Sequence, residues 1–429
     1  MEIYKNLASS DYKTVLKRPA LDTTTLFDSV RKVLSDIKQN GDAAVKKYVL
    51  QFDKFELNDL LVSEKELQDA DNRIDTNLKN AILTAKANIE RFHERQKSAV
   101  EIVETMPGVH CWRKSVGIEK VGLYVPGGSA PLFSTVLMLG VPAALAGCRE
   151  VVLCSPAKAD GKIHPAILFA AKSVGIKKIF KLGGIQAIAA MAYGTESVPQ
   201  VFKIFGPGNQ YVTAAKQLVN TEGVAIDMPA GPSEVMVIAD ETANPVFVAA
   251  DLLSQAEHGA DSQVVLLAYS SNMVNKIVQE IENQLVTLPR ADIARKALAN
   301  SVAIIVENDA EALAISDEYA PEHLIISTEN ADELASKIIN AGSVFIGHLS
   351  PESVGDYASG TNHTLPTNGF AKAYSGVSLD SFVKKITFQR LNTEGLKNLG
   401  QTVITMAEAE QLHAHANAVK VRLSNIGDK

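Results

Sequence analysis

Along residues 29–40, 63–71 and 77–98 apolar side chains recur at three-and-four spacing with lysines and glutamates between them. That is the pattern of solvated helices, each packing one face on something larger. From Ile118 the texture changes. Short apolar runs predict strands at 150–154, 177–180 and 203–205, separated by helices at 164–173 and 185–192. The alternation restarts further on, with strands at 263–268, 302–306, 323–327 and 344–346 and helices at 273–284, 310–319 and 331–340. Strand and helix in alternation predict parallel sheets covered by helices on both faces, which hold ligands beyond the carboxyl ends of their strands. The fold class expected is α/β, in two units of similar plan. A polar, glycine-bearing loop follows to 375. Thr405 and Glu408 then have the spacing of a capping box, which predicts a last helix over 406–422.

A chain of 429 residues exceeds one ordinary core, so two or more domains are expected. With 46% hydrophobic and 21% charged residues it belongs with globular proteins, not disordered ones. The net charge of −7, without a basic cluster, disfavours nucleic acid as the main partner. Residues 121–148 carry no charge at all, yet Pro126, Pro131 and Pro142 with Gly122, Gly127, Gly128 and Gly140 interrupt them. Buried interior is expected there, not a membrane span. The amino terminus has no charged lead before an apolar run, so a secretory signal is not expected and the location expected is cytoplasmic. Cys111, Cys148 and Cys154 cannot all pair within the chain and are read as buried, inert thiols in a reducing compartment.

Candidate chemistry gathers in a few stretches. Asn244-Pro245 starts a helix and Gly259 stops it, which puts Asp251, Gln255 and His258 at i, i+4 and i+7 on one face near a helix C-terminus. The partial negative charge there suits half of a divalent-cation site, although a solvated polar stripe has the same spacing. Tyr124 to Ser134 is a glycine pair leading into a helix with proline in its first turn, and Gly206-Pro207-Gly208-Asn209 repeats the idea after a strand. Both are phosphate-cradle candidates, but no G-x-G-x-x-G occurs in the chain. Glu322-His323, after Pro321 at the mouth of a strand, offers two bases. Neighbours on a strand point opposite ways, so these two can flank a substrate only if the strand has barely begun. The loop over 353–366 carries Asp356 and His363, and the last helix carries Glu410, His413 and His415. A regular helix would favour His413 over His415 as the partner of Glu410.

In this order, the stretches 121–134, 205–209, 226–234, 252–259, 319–324 and 359–365 resemble histidinol dehydrogenases, zinc enzymes that close histidine biosynthesis. The resemblance runs from about residue 20 to residue 422. It implies oxidation of L-histidinol to L-histidine through the aldehyde, with two NAD reduced in succession at one site. It implies one Zn2+ per subunit on Gln255, His258, Asp356 and His415, with His415 supplied by the other subunit of a homodimer. Glu322 and His323 match the catalytic bases. Ser233, Gln255, His258, Glu322, Asp356, His363, Glu410 and His415 match substrate contacts, and Tyr124, Gln186 and Asn209 match contacts to NAD. The implied fold is two Rossmann-like doubly wound domains, one inserted in the other. Residues 23–122 and 234–377 would form the first and 123–233 the second, between a terminal segment 1–22 and a helical, dimer-embracing segment 378–429. The missing glycine fingerprint leaves two rivals: a zinc-dependent hydrolase with Glu322 as base, and a metal-stabilised binding protein without catalysis.

Overall fold

In chain order the strands are β1 (Glu2–Lys5), β2 (Ile102–Met106), β3 (Val109–Gly117), β4 (Lys120–Tyr124), β5 (Glu150–Cys154), β6 (Lys178–Phe180), β7 (Lys203–Phe205), β8 (Ala225–Ile226), β9 (Glu234–Ala239), β10 (Gln263–Ala268), β11 (Val302–Ile305), β12 (His323–Ser327), β13 (Ser343–Ile346) and β14 (Val383–Leu391). They come from a computed structural model that describes residues 1–19, 23–127, 131–229 and 231–427. Two compact units make up the chain: Met1–Arg95 with Ile118–Phe382, and Gln96–Gly117 with Val383–Lys429.

The first unit holds two parallel sheets, of order β1-β11-β10-β9-β12-β13 and β6-β5-β4-β7-β8. Their strands are continuous apolar runs because both faces are covered. Val235, Val237, Val264 and Leu266 enter one core of the six-stranded sheet, and Met236, Ile238, Val265 and Leu267 enter the other. Val152 and Ile204 lie on one side of the five-stranded sheet, with Leu153 and Phe205 on the opposite side. The α/β reading therefore holds. β1 is an edge strand of its own chain's six-stranded sheet. The helix Thr23–Asp53, grouped by the resemblance with residues 234–377, places Val30, Leu34, Val45 and Val49 in the core beside Val152 and Ile204.

The chargeless stretch becomes β4 and the helix Phe133–Ala146, whose residues 134 to 143 are all buried. Pro131 precedes that helix rather than lying in its first turn, and Gly128, Ser129 and Ala130 lie outside the described residues. Among the described residues no helix is long and apolar enough to cross a membrane. Cys154 is buried, but Cys111 and Cys148 are only half-buried, against expectation.

Other expectations need correction. The helix read over 29–40 runs on to Asp53, through a break at Gly41 (φ 51°, ψ −133°) where the Glu196 carboxylate accepts from the Asp42 N–H at 2.8 Å. Asn-Gly reads as a stop, and that long-range cap lets the helix resume. The loop expected to 375 contains the helix Glu352–Tyr357, so Asp356 is helical. In the second unit, β14, β3 and β2 form an antiparallel sheet where no strand is expected from the sequence. Every residue of β2 is exposed, which removes the burial period that marks a strand. The single last helix is in fact two, Thr393–Ala409 and His413–Gly427. Thr405 bonds back to the Gln401 carbonyl at 2.9 Å instead of capping, and the break falls at Gln411, φ 62°.

One turn fixes the mouth of the five-stranded sheet. Gly206, at φ 128°, closes β7 so tightly on β4 that a Cβ there would strike the Tyr124 carbonyl oxygen. Asp227 holds the turn, accepting from the Gly206 N–H at 2.8 Å while paired with buried Lys216 at 2.5 Å. Gly206→Ala is therefore expected to destabilise the chain by about 3 kcal/mol, read as a drop in the urea midpoint at unchanged m value. A midpoint within error of the parent would show that this backbone can relax.

Candidate active site

β9 and β12 pair in parallel with His323 opposite Val235, so Glu322 and Glu234 stand side by side where the two strands begin. The Glu234 N–H donates to Glu322 Oε2 at 2.9 Å, and the Glu234 carbonyl accepts from His323 Nδ1 at 3.1 Å. That bond assigns the Nδ1 proton and leaves Nε2 facing Asp356 Oδ1 at 3.3 Å. Because β12 starts at His323 itself, the two neighbours escape strand alternation and their side chains approach to 3.6 Å. Both are buried, at 6% and 3% exposure. The group sits at the amino ends of this sheet's strands, the reverse of the edge expected from sheet topology.

Two more elements face this pair. The helix Glu352–Tyr357 presents Glu352 and Asp356 one turn apart on a single face. The helix Pro245–Ala256, capped by Asn244, presents Gln255 from its last turn. The Gln255 amide is assigned with its nitrogen donating to Glu352 at 2.7 Å and its oxygen accepting from the Glu234 N–H at 3.1 Å. His258 lies two residues past the helix end, not on its face, and is exposed. His363 has both ring nitrogens engaged, Nδ1 with the Asp356 carbonyl at 2.8 Å and Nε2 with Thr135 Oγ1 at 3.1 Å. Ser233, half-buried, immediately precedes β9.

The electrostatics here are those of too many buried carboxylates. Burial pushes Glu322 and Glu352 well above the ordinary carboxylate range, and raises Asp251 nearby to about 7. Burial alone would lower His323, but Glu322, Glu352 and Asp356 outweigh it and hold the imidazole well above its usual value. Burial would raise Asp356, yet its bond to His323 and the surrounding imidazoles bring it down. Ligand-type atoms of His323, Glu352 and Asp356 all lie within 4.8 Å of one another. Surplus negative charge in a buried nest of oxygen and imidazole donors, without a thiol, fits a divalent cation of the zinc, manganese or cobalt kind. Of the expected acidic and imidazole ligands Asp356 falls in that tight group, with His323 and Glu352 beside it, and the expected Gln255 reaches the same group through Glu352.

Glu410 and His415 belong to the second unit. Glu410 is the C-cap of the helix Thr393–Ala409, and His415 lies in the first turn of His413–Gly427; both are exposed. They ride on separate helices, so the phase of one regular helix does not apply to them.

The other half of the expected site lies at the carboxyl edge of the five-stranded sheet, where the strand order reverses between β4 and β7. Tyr124, the last residue of β4, is buried and its hydroxyl accepts from the Gly184 N–H at 3.1 Å; burial pushes it up to about 12. Gln186, 1% exposed, donates to Asp53 Oδ2 at 3.2 Å, while its oxygen is buried without a partner among the described residues. Asn209 caps the helix Gln210–Thr221, accepting from the Tyr211 and Val212 N–H groups, and is itself exposed. An unpartnered buried acceptor and two helix starts at a switch point fit a dinucleotide without a glycine fingerprint. A cavity of about 690 Å3 is lined by Asn209 from this edge and by Arg18, Pro232, Tyr319 and Asn368 from the other.

Four contributors were not read from the sequence: Arg18, Asp53, Glu234 and Glu352. Glu352 carried a usable signal, an acidic residue four before Asp356 and so on the same helical face. Glu234 ends a stretch already singled out, but its role is played by its peptide groups, which any residue type possesses.

Comparison with known proteins meets this geometry from the other direction. The histidinol dehydrogenase family profile matches residues 16–423. A histidinol dehydrogenase of Bacteroides thetaiotaomicron is 61% identical over 426 residues, covering 99% of this chain and 100% of its own. A chloroplastic histidinol dehydrogenase of Arabidopsis thaliana is 54% identical, covering 99% of this chain and 91% of its own. The crystal structure of histidinol dehydrogenase from Elizabethkingia anophelis superposes with a TM-score of 0.97 at 55% identity, covering 100% of this chain and 99% of that one. Sequence likeness along the whole length and one shared architecture leave a single assignment: the chain belongs to the histidinol dehydrogenase family.

Proposed function

We propose that this NAD-dependent dehydrogenase oxidises L-histidinol to L-histidine through the aldehyde at the Glu322–His323 pair, closing histidine biosynthesis. The observation that carries the proposal is that pair, buried side by side and bonded to both peptide groups of Glu234. Zn2+, one per subunit, would be held by Gln255, His258, Asp356 and His415 of the partner subunit in a homodimer, and NAD by Tyr124, Gln186 and Asn209. When bound, the cation would supply a Lewis acid that anchors the substrate and NAD would supply the hydride acceptor for each half-reaction.

The chain's own residues then handle protons. A cation on Asp356 would offset the negative charge that keeps protons on His323 and Glu322 and so leave both able to act as bases. His323 then takes the hydroxyl proton through Nε2 as the alcohol gives up its hydride, because Nδ1–H is committed to the Glu234 carbonyl. Glu322, beside it, draws a proton from the water that adds to the aldehyde. Once its first proton has passed to solvent, His323 serves again as the hydrate gives up the second hydride and becomes the acid. Ser233, His363 and Glu410 complete the substrate contacts, and burial of the pair keeps stray water from competing. The setting proposed is the cytoplasm.

An NADH absorbance assay with histidinol and NAD should yield two NADH per substrate; a hydrolase or a binding protein would give no rise. His323→Ala should lower kcat by roughly 10²–10⁴-fold, and near-normal turnover in that variant ends the assignment. Glu322→Gln should slow oxidation of the aldehyde more than that of the alcohol, measured with each substrate supplied separately. For the shared site, the His415→Ala and Glu322→Gln proteins should each form almost no histidine from histidinol, the activity followed here. Unfolded together and refolded, they should recover about a quarter of parental activity, since half of the dimers are mixed and each has one intact site. No recovery would place His415 with its own subunit's site.

A further inference from the structure

We infer that Arg18 is a positioning residue for the Glu322–His323 pair, acting through Glu234. The inference rests on the proposed roles of those two side chains. It extends them to a residue 216 positions from Glu234.

The coupling is direct. One residue, Glu234, orients both members of the pair, its N–H fixing Glu322 at 2.9 Å and its carbonyl fixing His323 at 3.1 Å. Any rotation of the peptide planes at Glu234 therefore moves both bases together. The ladder to β10 restrains one flank of those planes, the Gln263 N–H donating to the Ser233 carbonyl at 3.2 Å, and the Glu234 side chain, 2% exposed and gripped on two sides, restrains the residue from another direction. Arg18 binds it as a fork, Nε to Oε1 at 2.5 Å and Nη2 to Oε2 at 2.8 Å, and the Asn368 N–H donates to Oε1 at 2.8 Å. Two parallel bonds fix the carboxylate plane, which a single ammonium contact cannot do.

Arg18 is held in its turn. It donates to the Tyr319 carbonyl at 2.7 Å and lies 3.9 Å over the Tyr319 ring. The Tyr319 hydroxyl donates to Gln263 at 2.9 Å, and Gln263 donates to the Lys17 carbonyl at 3.2 Å, which closes a circuit beside Arg18. A plain tether for the amino-terminal segment would not need this, because β1 already pairs with β11 in register. A buried ion pair adds little stability over an apolar substitute, so its worth here lies in orientation. Without the guanidinium, the Glu234 carboxylate would add its charge to an interior already crowded by Glu322, Glu352 and Asp356.

The test uses the zinc-loaded, full-length protein with Arg18→Met and Arg18→Lys. In Arg18→Met, kcat is expected to fall at least about tenfold while the KM values for histidinol and NAD stay within about threefold. The solvent isotope effect on kcat should rise, because misplaced bases make proton transfer slower. Arg18→Lys should recover part of kcat. Folded Arg18→Met with parental kcat overturns the inference, and so does a defect confined to either KM, which would make Arg18 a ligand contact from the cavity wall. If Arg18→Met does not fold, Arg18→Lys decides by the same split. Parental turnover in His323→Ala would sink the underlying roles instead, whatever the Arg18 variants do.

Discussion

The parallel pairing of β9 with β12 is the constraint on which the site depends. It brings Glu234 and Glu322 to the same level at the amino edge of the six-stranded sheet, where backbone groups not yet absorbed by the ladder are free to bond side chains. A strand interior could not serve, because consecutive side chains there point to opposite faces. At the first residue of β12 that rule has not begun to act, so an acid and an imidazole adjacent in sequence become adjacent in space. The apolar strands behind them are covered on both faces, and the edge inherits their rigidity.

Rigidity alone would not make this arrangement stable. Glu322, Glu352 and Asp356 are carboxylates packed around one imidazole in a buried setting, a combination that opposes folding unless cationic charge arrives or protons stay on. The chain has accepted a local electrostatic cost where ligand and metal chemistry would relieve it. The rest of the first unit shows the contrasting solution: Lys216 with Asp227, and Lys181 with Glu66, are matched one to one.

How much of this could be read in advance follows from which forces leave a local trace. The parallel sheets were legible because strands covered on both faces are unbroken apolar runs, and 150–154, 203–205, 263–268 and 323–327 fall where the runs do. Glu322 and His323 were legible as two bases at a strand mouth. The sheet of β2, β3 and β14 was not, since an exposed ribbon such as β2 has no buried face to mark its period. The break at Gln411 was hidden by a capping-box spacing that the structure does not use, Thr405 being interior to a helix. Arg18 could not be found at all from local pattern. Its meaning comes from a contact across most of the first unit's sequence, and nothing in Lys-Arg-Pro distinguishes it from any other basic residue of the amino-terminal segment.

The two parallel sheets put their candidate site residues at opposite strand ends, Glu322 and His323 at the amino edge of the larger and Tyr124 at the carboxyl edge of the smaller. At the carboxyl ends of β9 and β12, Ser327, His348, Thr242 and Asp240 bond one another in a chain of side chains that the Asp240 N–H closes by donating to the Ser327 carbonyl. Side-chain bonds thus tie together the rim where a sheet of this build would ordinarily receive a ligand. Connections at that rim can lengthen or shorten without disturbing the chemistry opposite, which makes them the natural place to graft a tag or an added domain.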